Sequence, residues 1–385
     1  MVLEGLRKFV APELVFGVGA LEMTGRYVRN LGAQRAFVVS DPGVIRAGWT
    51  KKVADNLEEA GIPVVVFSDV SPNPRADQVM RGANVYRDSE CDIVVAVGGG
   101  SPMDCAKAIG IVATNARPVL SFEGVDRVEG PGPPLICIPT TAGTSADVSQ
   151  FAIISDPSQR RKVAIISKSV VPDVALIDPL TTTTMDPHLT ACTGVDGLAH
   201  AIEAFVSRAS SPITDLQALE AIRLIRSHLP RVLKNGDDIE ARTQVMLGSL
   251  EAGLAFSNAS LGAVHAMAHS LGGTLDLPHG ECNSLLLDSV MAFNQKVSEG
   301  RFAKIAEALG IDVRGLSTKA QCQAAIDDIR TLRKQVGITG TLRDRGVGSG
   351  GIPGLAEMAL LDPCLITNPR HAGRGDLEAV FEEAL

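Results

Sequence analysis

Through the first 180 residues, short β-branched runs alternate with stretches of helix length, and this alternation constrains the fold more than any other feature of the chain. The runs are RAFVVSD (35–41), PVVVFSD (63–69), DIVVAVGGG (92–100) and PLICIPTT (134–141). Between them lie amphipathic stretches such as 43–60 and 76–88. Strands joined through helices run parallel, and a parallel sheet covered on both faces reads as continuous apolar segments rather than alternating ones. Two later runs, FAIISD (151–156) and KVAIIS (162–167), flank the polar PSQRR and predict a hairpin or two edge strands.

The texture changes after DPLTTTTMDPHLT, where strand-like runs give way to helical patterns at 191–208, 214–229 and 237–256. A boundary is expected in the Thr-rich turn at 181–187, with Asp186-Pro187 as a helix-start signal. The expected architecture is an α/β domain with a mostly parallel, Rossmann-like sheet over 1–184, followed by an all-α domain over 185–385. A Gly-rich turn at 346–354 separates the last helices. With 385 residues and 45% apolar composition, the chain can bury cores of that size.

A formal charge of −8 offers no general attraction to phosphate backbones or anionic lipid, so neither nucleic acid nor membrane is expected as a partner. No apolar run reaches the roughly 18 to 20 residues of a spanning helix, and the N-terminus lacks a signal-peptide pattern. The seven cysteines contain no C-x-x-C pair. Together these features predict a cytoplasmic protein with reduced, mostly buried thiols.

Gly98-Gly99-Gly100-Ser101 directly follows the strand-like DIVVAVG and precedes a helical stretch. Glycines there let backbone N–H groups approach a diphosphate at a helix N-terminus, although a tight turn without a ligand has the same sequence. The strict G-x-G-x-x-G fingerprint is absent. Asp41 ends an earlier run, where a carboxylate accepts from a ribose hydroxyl and repels a 2′-phosphate, or merely starts a turn. The first option favours NAD over NADP. Thr140, Thr141, Gly143 and Thr144 form a second loop of small residues suited to close ligand approach.

Five of the seven histidines, His200, His228, His265, His269 and His279, fall between 200 and 279, and Asp196 stands just before them. Asp196 and His200 are four apart in a helical pattern, as are His265 and His269, so each pair shares a helix face. His279 follows in a Pro-His-Gly turn. One carboxylate with imidazoles suits Fe²⁺ or Zn²⁺. The flanking residues are small or apolar, and unpartnered buried imidazoles would cost roughly 1 to 3 kcal/mol each. A helix pair of hydrogen-bonded core histidines is the competing reading, and spacing alone does not say which imidazole is extra.

GGGSPMDCAKAIG, IPTTAGT, GVDGLAHAIEAFVS, AFSNASLGAVHAMAHSLGG with PHGECNSLLL, and TNPR near 368 together resemble the iron-containing, group III alcohol dehydrogenases across the whole chain. The resemblance implies a dehydroquinate synthase-like fold, NAD and Fe²⁺ or Zn²⁺ as cofactors, a short alcohol or aldehyde as substrate, and a homodimer or higher homo-oligomer. It implies Asp196, His200, His265 and His279 as metal ligands, with His269 as a proton-relay or substrate-orienting group. It sets Gly98, Gly99 and Ser101 at the pyrophosphate, Asp41 at the adenosine ribose, Asn73 near adenine, and Thr140 and Thr141 toward the nicotinamide. Phe256 and Cys364 are expected to line the substrate pocket.

Two departures stand out. Ser145-Ala146-Asp147 replaces the family's frequent Gly-Ser-Glu, and Asp288 stands where a proline commonly ends the apolar run. The alternatives are a zinc-dependent, glycerol dehydrogenase-like polyol oxidoreductase and a non-catalytic homologue. The carboxylate with three histidines argues against the first, and the intact ligands and glycine loop argue against the second.

Overall fold

The computed structural model describes residues 8–385. Its strands are β1 (Glu13–Phe16), β2 (Ala36–Val39), β3 (Val64–Phe67), β4 (Ile93–Gly98), β5 (Gly124–Val125), β6 (Leu135–Pro139), β7 (Phe151–Asp156), β8 (Arg161–Ile166) and β9 (Val174–Ile177). Among them run helices α1 (Thr24–Asn30), α2 (Pro42–Arg46), α3 (Trp49–Glu59), α4 (Ala76–Asp88) and α5 (Gly100–Asn115). The second half holds α6 (Pro187–Val206), α7 (Pro212–Lys234), α8 (Ile239–Ala259), α9 (Ala263–Leu275), α10 (His279–Ala308), α11 (Thr318–Gln335), α12 (Ile352–Leu360) and α13 (Arg374–Glu383). No strand follows Ile177 among the described residues.

Six strands form one parallel sheet in the order β1-β9-β6-β4-β2-β3. Alternate residues of the same strands feed two cores. Val38, Val95 and Ile136 pack with Val53 and Leu57 of α3, while Phe37, Val94 and Cys137 pack with Val79 and Ala83 of α4 and Ile109 of α5. Burial on both faces accounts for the unbroken apolar runs. From β2 the chain moves outward to β3, whereas from β4 it moves the other way to β6. The helices that follow β2 and β4 therefore leave on opposite faces, and a crevice opens beyond the C-terminal ends of these two strands. Asp41 and the glycine loop sit at that crevice.

β7 and β8 pair antiparallel, as the hairpin reading expects. Three differences from the sequence reading have local causes. The stretch 43–60 is two helices, because Gly48 adopts a left-handed φ of 87° between them. The four-residue strands β1 and β9 were not anticipated, since ELVF and VALI are too short to show a period. The Pro-His-Gly segment is no turn but the opening of α10, with His279 as its first residue.

Asp186 caps α6 by accepting from the Leu189 N–H at 2.9 Å, with Pro187 in the first helical position. Asp288, inside α10, accepts from Arg330 Nε at 2.7 Å and lies 3.4 Å from Arg333 Nη1. The carboxylate at this departure from the family pattern thus ties α10 to α11. No described helix is long and apolar enough to cross a membrane.

Candidate metal centre and cofactor cleft

Three helices converge on one cluster, in which Asp196, His200 and His265 are buried and His279 is partly exposed. Asp196 and His200 come from consecutive turns of α6, His265 from the first turn of α9, and His279 from the start of α10. The Nε2 atoms of His200, His265 and His279 lie 4.0, 3.7 and 4.0 Å from Asp196 Oδ1, and one donor atom from each of the four residues falls within 4.8 Å of all the others. A tetrahedron with arms of ~2.1 Å has edges of ~3.4 Å, so these spacings suit a small divalent cation with modest contraction.

The rings are held so that Nε2 faces the cluster. His200 Nδ1 donates to the Gly143 carbonyl at 3.0 Å, and His265 Nδ1 donates to Glu203 Oε2 at 2.6 Å. Glu203 also accepts the Val264 N–H at 2.7 Å through its other oxygen. Beside it, Asn368 Oδ1 accepts the Ala263 N–H at 3.1 Å. The N-cap of α9, Gly262, has no side chain, so these two distant residues satisfy the helix start that presents His265. This accounts for the asparagine of TNPR.

Burial lowers the His200 pKa to about 4 and that of His279 well below its usual range, which keeps both rings neutral and able to donate a lone pair. Burial alone would raise Asp196, but His200, His265 and His279 together hold it ionised, far below the usual carboxylate range. Burial also disfavours a charged His265, and its contacts with Asp196 and Glu203 outweigh that and raise it to about 9. Asn283 Oδ1 and His279 Nδ1 are buried with no hydrogen-bond partner among the described residues. A carboxylate, three imidazoles and orphaned polar atoms in an apolar shell are the setting a resident cation would resolve.

His269, one turn beyond His265, falls into a different group with Asp362 and Cys364. Its Nδ1 donates to Asp362 Oδ2 at 2.7 Å, and Asp362 Oδ1 accepts the Cys364 N–H at 2.8 Å. The His269 ring stacks on His279 with centroids 5.3 Å apart. Phe256 stacks on His200 at 4.3 Å and lines the cleft. Cys364 does not: it is fully buried behind Asp362, a correction to the expectation that it lines the pocket.

A cleft of about 910 Å³ runs from this cluster to the crevice at β2 and β4. Asp41, Asn73, Gly99, Ser101, Thr140 and Thr141 line its far part. Asp41 caps α2, its Oδ1 accepting from the N–H groups of Gly43 and Val44 at 2.7 and 3.0 Å, which leaves Oδ2 for a ligand. Gly98 lies behind the wall with φ 150°, where a Cβ would stand 2.6 Å from Pro102 Cγ. Its contribution is the backbone turn. Thr141 Oγ1 is buried without a partner among the described residues, on the lining of the cleft. Asn73 adopts a left-handed φ of 56°, and its side chain donates to Asp276 Oδ1 across the cleft at 2.8 Å.

Residues 11–179 match the family described as iron-containing alcohol dehydrogenase, and residues 190–385 match the C-terminal part of the Fe-containing alcohol dehydrogenase family. The chain belongs to the iron-containing alcohol dehydrogenases. It is 41% identical to 1,3-propanediol dehydrogenase of Citrobacter freundii over 371 residues, 96% of each chain. It is 40% identical to NAD-dependent methanol dehydrogenase of Bacillus methanolicus over 377 residues, 98% of this chain and 99% of the other. The crystal structure of a 1,3-propanediol oxidoreductase superposes with a TM-score of 0.97 at 40% identity, covering 99% of this chain and 100% of that one.

Four residues of this iron-containing alcohol dehydrogenase site escaped the sequence reading. Glu203 follows His200 by three positions, so a D-x-x-x-H-x-x-E stripe was available as a signal. Asn283 likewise follows His279 by four. Lys162, on β8, lines the cleft, where burial lowers its pKa. It and Asp362 carry no local signal.

Proposed function

We propose that this iron-containing alcohol dehydrogenase interconverts a short-chain alcohol or diol and its aldehyde, with NAD as hydride carrier and Fe²⁺ or Zn²⁺ as the resident metal. The observation that carries this reading is the single cleft with a glycine loop and Asp41 at one end and the Asp–His cluster at the other. Substrate size is drawn from relatives named for 1,3-propanediol and methanol.

Asp196, His200, His265 and His279 would hold the cation. When bound, it supplies Lewis acidity that lowers the pKa of an alcohol oxygen, and NAD supplies the hydride acceptor. Backbone N–H groups from Gly99 to Ser101, at the N-terminus of α5, suit the diphosphate. Asp41 Oδ2 accepts from the adenosine ribose and disfavours a 2′-phosphate. Thr140 and Thr141 lie toward the nicotinamide, and Asn73 exchanges its bond with Asp276 for one to adenine. Phe256 shields His200 from water. His269 moves a proton at Nε2 while Asp362 keeps its Nδ1–H engaged.

The reading extends to a glycine-loop domain over 1–184 and a metal-binding domain over 185–385, assembled as a homodimer or higher homo-oligomer in the cytoplasm. The decisive experiment is anaerobic purification with metal quantification, then an NADH-absorbance assay over short alcohols and aldehydes with NAD and NADP. One cation per chain and metal-dependent NAD reduction are expected. Full turnover in a rigorously metal-free preparation would overturn the mechanism.

A further inference from the structure

Asn283 is fully buried one turn after His279, on the same face of α10. Its amide nitrogen donates to Asp196 Oδ1 at 2.5 Å and lies 3.1 Å from His265 Nε2 and 3.2 Å from His279 Nε2. One side chain therefore touches three of the four proposed ligands. Building on the metal reading above, we infer that Asn283 is a positioning residue of the metal centre, aligning the Asp196 carboxylate with the imidazoles of His265 and His279.

The chemistry of its neighbours decides which end of the amide faces them. As a metal ligand Asp196 presents a carboxylate, whose oxygens only accept. His265 engages Glu203 through Nδ1, so the neutral ring that a cation requires presents the lone pair of Nε2. An amide oxygen in that position would face a carboxylate oxygen and imidazole lone pairs, acceptor against acceptor. The nitrogen faces them and the oxygen points away.

The oxygen then has no partner among the described residues, in a position with no exposed surface. A buried, unsatisfied amide oxygen is unfavourable, and a leucine of similar volume in the apolar body of α10 would avoid it. The flanking Ser284, Leu285, Leu286 and Leu287 are all buried. What the amide contributes is made by its nitrogen. Two N–H bonds serve three acceptors, and once a cation takes the imidazole lone pairs the amide keeps the Asp196 oxygen, whose remaining lone pair is left for the cation. Glu203 does for His265, and the Gly143 carbonyl for His200, what Asn283 does for the carboxylate.

The test uses the full-length protein, stripped of metal by chelation and reloaded with Co²⁺ or Zn²⁺ under chelator competition. Asn283→Leu, and Asn283→Ala as a second variant that relieves packing, should bind both ions roughly 10- to 100-fold more weakly than the parent. The Co²⁺ visible spectrum of each should shift, because the carboxylate is no longer aligned, while circular dichroism stays that of the parent. Equal affinity and an unchanged Co²⁺ spectrum in either folded variant would overturn the role of Asn283. A parent protein that takes up neither ion would instead overturn the metal reading itself, and this role with it.

Discussion

Asp362 Oδ2 stands 2.7 Å from His269 Nδ1, although the two residues are 93 positions apart, and the Cys364 N–H fixes the other carboxylate oxygen at 2.8 Å. Both partners of this pair are largely buried beside the Asp–His cluster. No buried side-chain nitrogen or oxygen in it lacks a partner among the described residues, in contrast to the orphaned atoms around the four proposed ligands. The pair is therefore built to fix one tautomer of His269 rather than to gather a second cation. His269→Ala should lower kcat by on the order of 100-fold, the lower end for a lost general acid or base. Asp362→Ala should lower kcat by ~10-fold or more with little change in KM, and Asp362→Glu should recover part of it. Steady-state kinetics with the best alcohol of the substrate panel checks this. A loss confined to KM would assign the pair to substrate binding.

Asp41 has two separable contributions. Asp41→Ser keeps a cap for α2 but removes the charge, so NADP should be accepted while the melting temperature holds. Asp41→Ala removes both and should cost about 1 kcal/mol in addition. Trp49 is the sole tryptophan and lines the cleft, so quenching of its fluorescence by NADH or NADPH reads binding directly. Undiminished preference for NADH in both variants would contradict the ribose role.

Ser145 adopts a left-handed φ of 50°, a conformation suited to the glycine that the family often carries there. Its hydroxyl offsets the strain by donating to the Ser249 carbonyl at 2.7 Å. Opposite it, a Cβ on Gly253 would lie 2.4 Å from Ser145 Cβ. Gly253→Ala should therefore destabilise the protein by about 1 to 3 kcal/mol. Adding Ser145→Gly should restore part of the loss, since the contact with Val148 Cγ2 at 2.6 Å remains, and a double-mutant cycle in thermal or urea unfolding would measure the share. Additive effects would rule out this coupling.

Asp147, the other charged departure, is buried with no salt bridge among the described residues, and burial raises its pKa from 3.8 to about 6. A carboxyl group raised in the folded state favours folding below its unfolded pKa, and that contribution is lost as pH rises through about 6. Asp147→Asn should thus stabilise the protein at pH 8 by on the order of 2 kcal/mol and leave it nearly unchanged at pH 4. Urea titrations at the two pH values compare them, and a gain of equal size at both would point to packing instead.

The sequence alone determined what depends on neighbours within a few turns. Strand and helix periods marked the parallel sheet and the helical second half, because backbone hydrogen bonding imposes those periods locally. The same periodicity placed Asp196 and His200, and His265 and His269, on shared faces. It stopped short where the contact is between elements. The order of strands, and the crevice between β2 and β4, follow from long crossovers whose direction no local pattern encodes. Spacing left four imidazoles around one carboxylate. Only the packing of α6, α9 and α10 brought three of them to Asp196, turned His269 toward Asp362, and set Glu203 and Asn283 behind the ligands. Such contacts join residues 62 to 93 positions apart and are selected by burial of whole helix faces, a property of the assembled fold.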